Sequence, residues 1–304
     1  MYNLIVAKNL SKIFGKIYAL RKVSFSVSGG IIGLLGPNGS GKTTFINMLV
    51  GLVRPSDGNL YCMGFDSWYE SKEVRRRVGI LLEDERYPEY IDGYTFLKIQ
   101  AKLIGNRDAL NYVKEVSKKI GMYTNLSKRI KEYSAGMKKK LGILSALLNI
   151  EAELIILDEP FADLDYVSRY ELVSLIKSLS EERRVSFLIS THLISDLEDI
   201  VSKVIMIKDG TLRYVGDVKR FDEREKGRQI SIKVDNNIEA LKVLKSMDAD
   251  IEPEISGEHI IVKIYGDIEI WRILKTLEDN GMKVLDFSSV KSELGHLYRK
   301  YIGE

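Results

Sequence analysis

A glycine-rich loop behind a short apolar segment constrains the fold of this 304-residue chain more than any other feature. Residues 31–35 have the continuous apolar character of a buried parallel strand, and residues 45–50 resemble a helix that Gly51 ends. The nine residues between them are Gly36, Pro37, Asn38, Gly39, Ser40, Gly41, Lys42, Thr43 and Thr44. Strand, loop and helix in this order predict a P-loop, in which backbone N–H groups hold phosphates. Lys42 then reaches the β- and γ-phosphates of a nucleoside triphosphate, and the Thr43 hydroxyl ligates Mg²⁺.

Two more apolar segments end in residues suited to phosphate chemistry. Residues 154–157 form a predicted strand that Asp158 and Glu159 follow, and residues 185–189 form another that His192 follows. An aspartate in this place holds Mg²⁺, and the next carboxylate polarises an attacking water. His192 is placed to hydrogen-bond the γ-phosphate, although a loop histidine with an ordinary structural role has the same local sequence.

The composition excludes several classes of protein but does not identify the function. With 45% hydrophobic residues the chain is not of low complexity, and its net charge is only +3. Its single cysteine, Cys62, excludes an internal disulfide and any multi-cysteine zinc site. No apolar run reaches the ~18 to 20 residues of a membrane span. Several short basic clusters lie between residues 75 and 140; they indicate a solvated face or contact with an anionic membrane, and no aromatic-rich module favours nucleic acid.

The segment Tyr133-Ser-Ala-Gly-Met137 is the most discriminating element. Taken with the P-loop and the acidic pair, it resembles the signature sequence of the ATP-binding subunits of ATP-binding cassette (ABC) transporters, in a variant common among drug and lipid exporters. The resemblance runs from about residue 6 to residue 214. It includes residues 161–165, which match the loop after the second carboxylate motif, and residues 208–212, which match the closing hairpin.

The resemblance implies a fold and a set of site residues. The expected fold is an α/β P-loop NTPase, a RecA-like core with antiparallel β and helical subdomains. Two such domains enclose ATP and Mg²⁺ head to tail, so Ser134 and Gly136 would contact the partner's nucleotide and Asp165 would join the two sites. Phe14 matches the aromatic residue that stacks on adenine, although an apolar aromatic there also fits a core position.

Three positions depart from the pattern of the family. Glu83 stands where a glutamine normally contacts Mg²⁺ or water, which makes it a candidate metal ligand. Ala135 and Asp163 replace glycines. If Ala135 needs a positive φ, the conformation costs ~1–2 kcal/mol. We expect these changes to affect the rate of catalysis more than the fold.

The predicted domains are an ATPase domain over residues 1–218, with a helical subdomain at about 84–150, and an accessory domain over 229–304. The charged stretch 219–228 between them is a predicted linker. The accessory domain shows the order βαββαβ, which predicts a small α+β ferredoxin-like fold. Its tail resembles the end of exporter-type cassettes, and Leu294, Leu297, Tyr298 and Tyr301 also have the spacing of a helix packing face.

The expected function is ATP hydrolysis by an exporter subunit that lies on the cytoplasmic face of the membrane. Its expected partners are ATP and ADP, a separate transmembrane permease, and a second cassette in a homodimer or heterodimer. Two alternatives stay open: an importer ATPase whose accessory domain senses substrate, and a soluble ABC ATPase not tied to transport. A P-loop kinase or GTPase has no reason to carry the signature segment.

Overall fold

The computed structural model describes residues 3–83, 85–106, 108–198, 200–218, 228–247, 250–265, 268–289 and 293–303. The predicted linker lies outside the described residues except for Arg228, where a strand begins.

Within these ranges the chain forms fourteen strands and nine α-helices. The strands are β1 (Asn3–Phe14), β2 (Ile17–Ser28), β3 (Ile31–Leu35), β4 (Asp57–Cys62), β5 (Phe65–Asp66), β6 (Val78–Leu81), β7 (Leu154–Asp158), β8 (Ser186–Thr191), β9 (Lys203–Lys208), β10 (Thr211–Asp217), β11 (Arg228–Val234), β12 (Ile251–Ser256), β13 (His259–Ile264) and β14 (Val284–Ser289). The helices are α1 (Lys42–Leu49), α2 (Ser71–Arg76), α3 (Gly93–Ile104), α4 (Ala109–Lys119), α5 (Ala135–Ala146), α6 (Tyr166–Arg183), α7 (Asn237–Met247), α8 (Ile270–Asp279) and α9 (Glu293–Tyr301).

The central sheet has six strands in the order β10-β9-β3-β8-β7-β6, and all but β10 run parallel. Every residue of β3 and β7 is buried, as their unbroken apolar sequences predict. Because parallel strands end at one edge of a sheet, the loops after β3, β6, β7 and β8 meet there. The three strands predicted around the P-loop, the acidic pair and His192 are confirmed.

Two hydrophobic clusters cover the two faces of this sheet. Leu154 and Ile156 of β7 belong to a cluster with α1 and the antiparallel sheet β2-β1-β4-β5. Ile155 and Leu157 belong to the other cluster, with helices α3, α4 and α5. The period of two along the strand thus divides a continuous apolar run between two cores.

The helical subdomain predicted at about 84–150 contains helices α3, α4 and α5. Helix α5 begins directly after Ser134 of the signature segment and ends at Ala146. Asp92 caps α3, because its Oδ1 accepts a hydrogen bond from Thr95 N at 2.8 Å.

The C-terminal strands form a separate antiparallel sheet in the order β12-β13-β11-β14. Helices α7 and α8 pack side by side on it, so the predicted βαββαβ arrangement is confirmed. Ile273, Leu274 and Leu277 of α8 are fully buried in this core. Trp271, which the apolar periodicity assigns to the same face, lies instead against Tyr170 of α6, with ring centroids 6.4 Å apart.

The last helix, α9, packs on the hydrophobic cluster that contains α3, α4 and α5 rather than on the C-terminal sheet. Leu294 and Ile302 are 1% and 5% exposed within that cluster, and the Tyr301 ring stacks on Tyr214 of β10 at 4.7 Å. The predicted packing face is therefore confirmed, and its partner is the central sheet. No helix in the described ranges is long and apolar enough to cross a lipid bilayer.

Candidate active site

The P-loop takes a path that two of its glycines make possible. Gly39 has a φ of 76° and Gly41 a φ of 107°, values that residues with a side chain rarely adopt. A Cβ atom on Gly41 would also lie 2.5 Å from Ala19 O. Both the conformation and the close approach of β2 therefore require glycine at position 41.

Helix α1 begins directly behind this loop and has no side-chain cap. Its N-cap is Gly41, and its first turn contains no acidic residue. By contrast, Asp92, Ser134 and Asp165 cap helices α3, α5 and α6 with side-chain oxygens. The uncapped N–H groups and the helix dipole make the start of α1 an anion-binding end, as a P-loop requires.

Lys42, the first residue of α1, is buried among acceptors. Its Nζ donates to Gly36 O at 2.8 Å and lies 3.4 Å from Glu159 Oε1. The two side chains are 6% and 8% exposed, so this is a buried ion pair. The ammonium group thus stays at the mouth of the loop where phosphates would bind.

Glu159 lies at the centre of the candidate site. Its Oε2 is 3.1 Å from His192 Nδ1, and its backbone has a φ of 47° in the left-handed region. Such a conformation costs free energy and persists where surrounding contacts impose it. Here Ser190 accepts a hydrogen bond from Glu159 N through its Oγ at 2.9 Å. His192 is therefore brought to the predicted water-polarising carboxylate.

Asp158, Thr43 and Glu83 form an acidic corner beside Lys42. Thr43 Oγ1 donates to Glu83 Oε2 at 3.3 Å, and Asp158 is fully buried. Burial raises the pKa of Asp158 above its usual value, while the hydrogen bond from Ser190 opposes the change.

This corner fits a magnesium ion. The Oδ2 atom of Asp158 is buried without a hydrogen-bond partner among the described residues, and hydroxyl and carboxylate oxygens are the donors that Mg²⁺ prefers. No three His, Cys, Asp or Glu side chains in the described ranges form a metal cage of their own. Such an arrangement suits Mg²⁺, which usually takes one or two carboxylates and completes its shell with water and phosphate.

Ser190 was not predicted as a site residue. Its Oγ donates a short hydrogen bond to Asp158 Oδ1 while accepting from Glu159 N, so one hydroxyl orients both acidic residues. Strand register explains the contact, because Asp158 and Ser190 are paired across β7 and β8. A signal was present in the sequence: both residues directly follow predicted strands.

Asp196 connects the loop that carries His192 to helix α6. Asp196 is 5% exposed, accepts from Thr191 Oγ1 at 3.3 Å and pairs with Arg169 at 3.4 Å. Burial raises the pKa of Asp196 to about 6, and the Arg169 charge opposes that rise.

The remaining predicted residues lie around this cluster. Phe14 is 50% exposed with the Lys12 ammonium 4.8 Å from its ring centroid, so the alternative of a core position is wrong. Ser134 caps α5, and Asp165 caps α6. In the described part of the chain no hydrogen bond connects Ser134, Gly136 or Asp165 with Lys42 or Glu159.

The two departures from glycine have different structural consequences. Ala135 is the first residue of α5 and has no positive φ, so the conditional cost of ~1–2 kcal/mol does not arise. Asp163 has a φ of 63°, which explains why the family prefers glycine there. A Cβ on Gly136 would meet Asp163 O at 3.0 Å, so the signature segment packs closely on this loop.

Comparison with known proteins agrees with this geometry. The family profile described as ABC transporter matches residues 20–162. The bacitracin transport ATP-binding protein BcrA of Bacillus licheniformis is 31% identical over 305 residues, covering 100% of this chain and 98% of that protein. The chain belongs to the ATP-binding proteins of ABC transporters.

Solved structures of ABC cassettes share the fold. A dimeric structure of a bacterial ABC transporter cassette has a TM-score of 0.65 at 22% identity and covers 71% of this chain and 100% of that chain. The structure of an ATP-binding subunit of an ABC transporter has a TM-score of 0.63 at 26% identity and covers 70% of this chain and 90% of that chain.

Membership in the ABC family confirms several predictions together. The P-loop NTPase fold, ATP hydrolysis coupled to transport, and the use of ATP with Mg²⁺ are properties of this family of ATPases. So are the pairing of two cassettes and their association with a transmembrane permease subunit. The kinase and GTPase alternative is wrong.

Proposed function

We propose that the buried cluster Lys42–Glu159–His192 is the hydrolytic centre of this ABC ATPase. The supporting observation is that one carboxylate, Glu159, lies within 3.4 Å of the P-loop ammonium and 3.1 Å of the histidine ring. Glu159 is the general base that polarises the attacking water, and His192 orients it and reaches the γ-phosphate.

Lys42 links nucleotide binding to the base. Its ammonium pairs with Glu159, and the β- and γ-phosphates of ATP compete for the same charge. When phosphate oxygens bind the Lys42 ammonium, Glu159 loses its ion pair with Lys42 and keeps its hydrogen bond with His192. The Glu159 carboxylate is then available to accept a hydrogen bond from the attacking water. Thr43, Asp158 and Glu83 would hold Mg²⁺, which would supply positive charge to the phosphate oxygens.

The other predicted residues complete the nucleotide site. Residues 36–44 hold the phosphates, and the exposed Phe14 ring stacks on adenine. Ser134 and the Gly136 backbone contact the nucleotide of the partner cassette, and Asp165 connects the two sites. The close packing of Gly136 on Asp163 supports this, because it joins the signature segment to the loop that carries Asp165.

The Glu159→Gln variant tests the assignment. We expect kcat for ATP hydrolysis to fall by about 10²-fold or more, because an amide cannot accept the proton of the attacking water. Binding of ATP and ATP-dependent dimerisation should persist, measured by nucleotide titration and size-exclusion chromatography. A matched control is Glu171→Gln on α6, which should keep the wild-type rate. Turnover near wild type in Glu159→Gln would reject the role of Glu159.

We also propose that transport runs outward and that the subunit lies on the cytoplasmic face of the membrane. The exporter-like signature and tail support this direction, as does the match to the bacitracin transport protein over its whole length. The ATPase domain then comprises residues 1–218 and the accessory domain residues 229–304.

Gene context and fractionation test the transport proposal. We expect a neighbouring gene for a six-span permease without a solute-binding protein. The chain should enter the membrane fraction when that permease is co-expressed and stay outside it otherwise. An adjacent solute-binding protein would instead favour an importer.

A further inference from the structure

Tyr166 joins the C-terminal sheet to the first turn of α6. Its hydroxyl donates to Leu285 O of β14 at 2.6 Å, and its ring meets the Phe287 ring edge-on with centroids 5.5 Å apart. One side chain of α6 is therefore held by both the backbone and a ring of β14.

The residue before Tyr166 is Asp165, to which the proposed function gives a role between the two nucleotide sites. Asp165 is the N-cap of α6: its Oδ1 accepts from Ser168 N at 2.7 Å and its Oδ2 from Ser168 Oγ at 3.2 Å. This cap makes Asp165 and Tyr166 parts of one hydrogen-bonded turn. A displacement of Tyr166 would therefore move the Asp165 carboxylate with it.

Arg169 extends the same unit towards the hydrolytic centre. Its guanidinium lies 5.6 Å from the Tyr166 ring centroid, its Nε donates to Leu164 O at 3.1 Å, and its Nη1 is 3.4 Å from Asp196 Oδ1. Asp196 in turn accepts from Thr191, the residue before His192. The loop that carries Asp165 and the loop that carries His192 are thus braced by the turn that Tyr166 anchors.

A second element of the accessory domain, helix α8, also lies near Asp165. Glu278 lies on α8, and its pKa is raised by burial first and by the negative charge of Asp165 next. Two elements of the accessory domain, β14 and α8, therefore face the N-terminal turn of α6.

We propose that Tyr166 is a positioning residue through which the accessory domain sets Asp165 and its loop for ATP hydrolysis. The inference rests on the proposed role of Asp165 between the two sites. Tyr166 contacts Leu285, Phe287 and Arg169, none of which belongs to the proposed hydrolytic centre. It transmits the position of β14 to the loop, so the accessory domain contributes to the hydrolysis rate without supplying a catalytic group.

The test uses conservative variants of the full-length chain. Tyr166→Phe removes only the hydroxyl, and Phe287→Leu changes only the accessory-domain side of the ring contact. Tyr166→Phe should lower kcat about fivefold, the effect of losing one hydrogen bond of ordinary net strength. Phe287→Leu should lower kcat by a similar factor because it removes the edge-to-face ring contact, and KM for ATP should change less than twofold in both variants. Tyr265→Phe is the matched control, because that hydroxyl donates to Glu252 within the accessory domain at 3.0 Å and should leave kcat unchanged.

Two further variants separate this inference from the proposed function. Asp165→Ala alone should lower kcat, and Asp165→Ala/Tyr166→Phe should be no slower than Asp165→Ala, because both changes act through one carboxylate. If Asp165→Ala hydrolyses ATP at the wild-type rate, the proposed role of Asp165 is wrong.

If Asp165→Ala is slow but Tyr166→Phe and Phe287→Leu are not, the proposed function stands and the positioning role of Tyr166 is wrong. A fall in melting temperature without any change in kcat would also exclude the positioning role, since it would leave Tyr166 a purely structural contact.

Discussion

The carboxyl edge of the central sheet and the C-terminal sheet differ in how many polar side chains they bury. At the edge, Lys42, Asp158, Glu159 and Asp196 are all buried. Among the side chains of residues 230–287 whose burial the structure describes, no polar or charged residue is buried as a whole, although the Oδ1 atom of Asn237 is, and the core residues are apolar. The ion pair Lys233–Glu258 of that region lies at the surface.

This difference in burial shows that the free-energy cost of burying charge is concentrated at the candidate active site. Burying charge is unfavourable unless partners compensate, and burial of apolar side chains stabilises without such partners. The edge of the central sheet carries buried charges and a Glu159 backbone in the left-handed region, which is consistent with the proposed hydrolytic centre. The C-terminal sheet has the composition of a unit selected for packing. Of the two tryptophans, Trp68 lies between β5 and α2, and Trp271 of α8 lies where the C-terminal unit contacts α6.

The largest expected effect comes from breaking the buried ion pair. Lys42→Met leaves the Glu159 carboxylate buried without its partner, which should lower the free energy of unfolding by about 3–5 kcal/mol in nucleotide-stripped protein. Urea unfolding followed at Trp68, in a Trp271→Phe background, measures it. Lys42→Met/Glu159→Gln should recover most of the loss; if the double variant is no more stable than Lys42→Met, the ion pair is not what stabilises this edge.

A cavity in the C-terminal core should act on stability alone. Leu274 is fully buried, so Leu274→Ala should destabilise the C-terminal unit by about 2–5 kcal/mol, seen in unfolding followed at Trp271. The Kd for ATP should stay within twofold of wild type. A large change in ATP affinity would contradict the contrast between a chemical and a packing region. Lys242→Ala on the same unit's surface is the control and should change neither quantity.

Asp196 predicts a pH dependence specific to the edge of the central sheet. Its folded pKa of about 6 lies above the ordinary aspartate value of 3.8, so the folded state binds the proton more tightly. The resulting stabilisation is complete below pH about 4, is lost as pH rises through about 6, and amounts to about 3 kcal/mol.

Asp196→Asn removes this dependence. Measured against wild type by urea unfolding, the variant should gain about 3 kcal/mol in relative stability between pH 4 and pH 7. The exposed carboxylate of Asp209 supplies the control, and Asp209→Asn should run parallel to wild type. A parallel curve for Asp196→Asn would show that this carboxyl titrates normally.

The smallest expected effect concerns the backbone. Asp163 has a φ of 63° and Gly257, in the β12–β13 turn, a φ of 61°. Asp163→Val should be less stable than Asp163→Gly by about 1–2 kcal/mol, because a β-branched residue is a poor fit to this conformation. Gly257→Val should cost a similar amount in the C-terminal unit. Equal melting temperatures for Asp163→Val and Asp163→Gly would rule out strain at this loop.

The sequence predicted the strands of the site well because their signals are local. Continuous apolar runs before Gly36, Asp158 and His192 are typical of buried parallel strands, and all three formed. It did not predict the role of Ser190, whose contacts depend on the pairing of β7 with β8. The sequence also could not show whether Ala135 has a positive φ, because the sign of φ there depends on where α5 begins.

Residue types and spacings were enough to identify the family, the P-loop, the acidic pair and the order of elements in the C-terminal unit. Those features depend on hydrogen-bonding capacity and apolar periodicity, which are local properties of the chain. Three contacts became visible only in the folded molecule: Trp271 faces α6, α9 returns to the central sheet, and Tyr166 bonds to β14. Each is a contact between elements far apart in sequence, and an apolar face can pack against more than one partner until the whole fold places them.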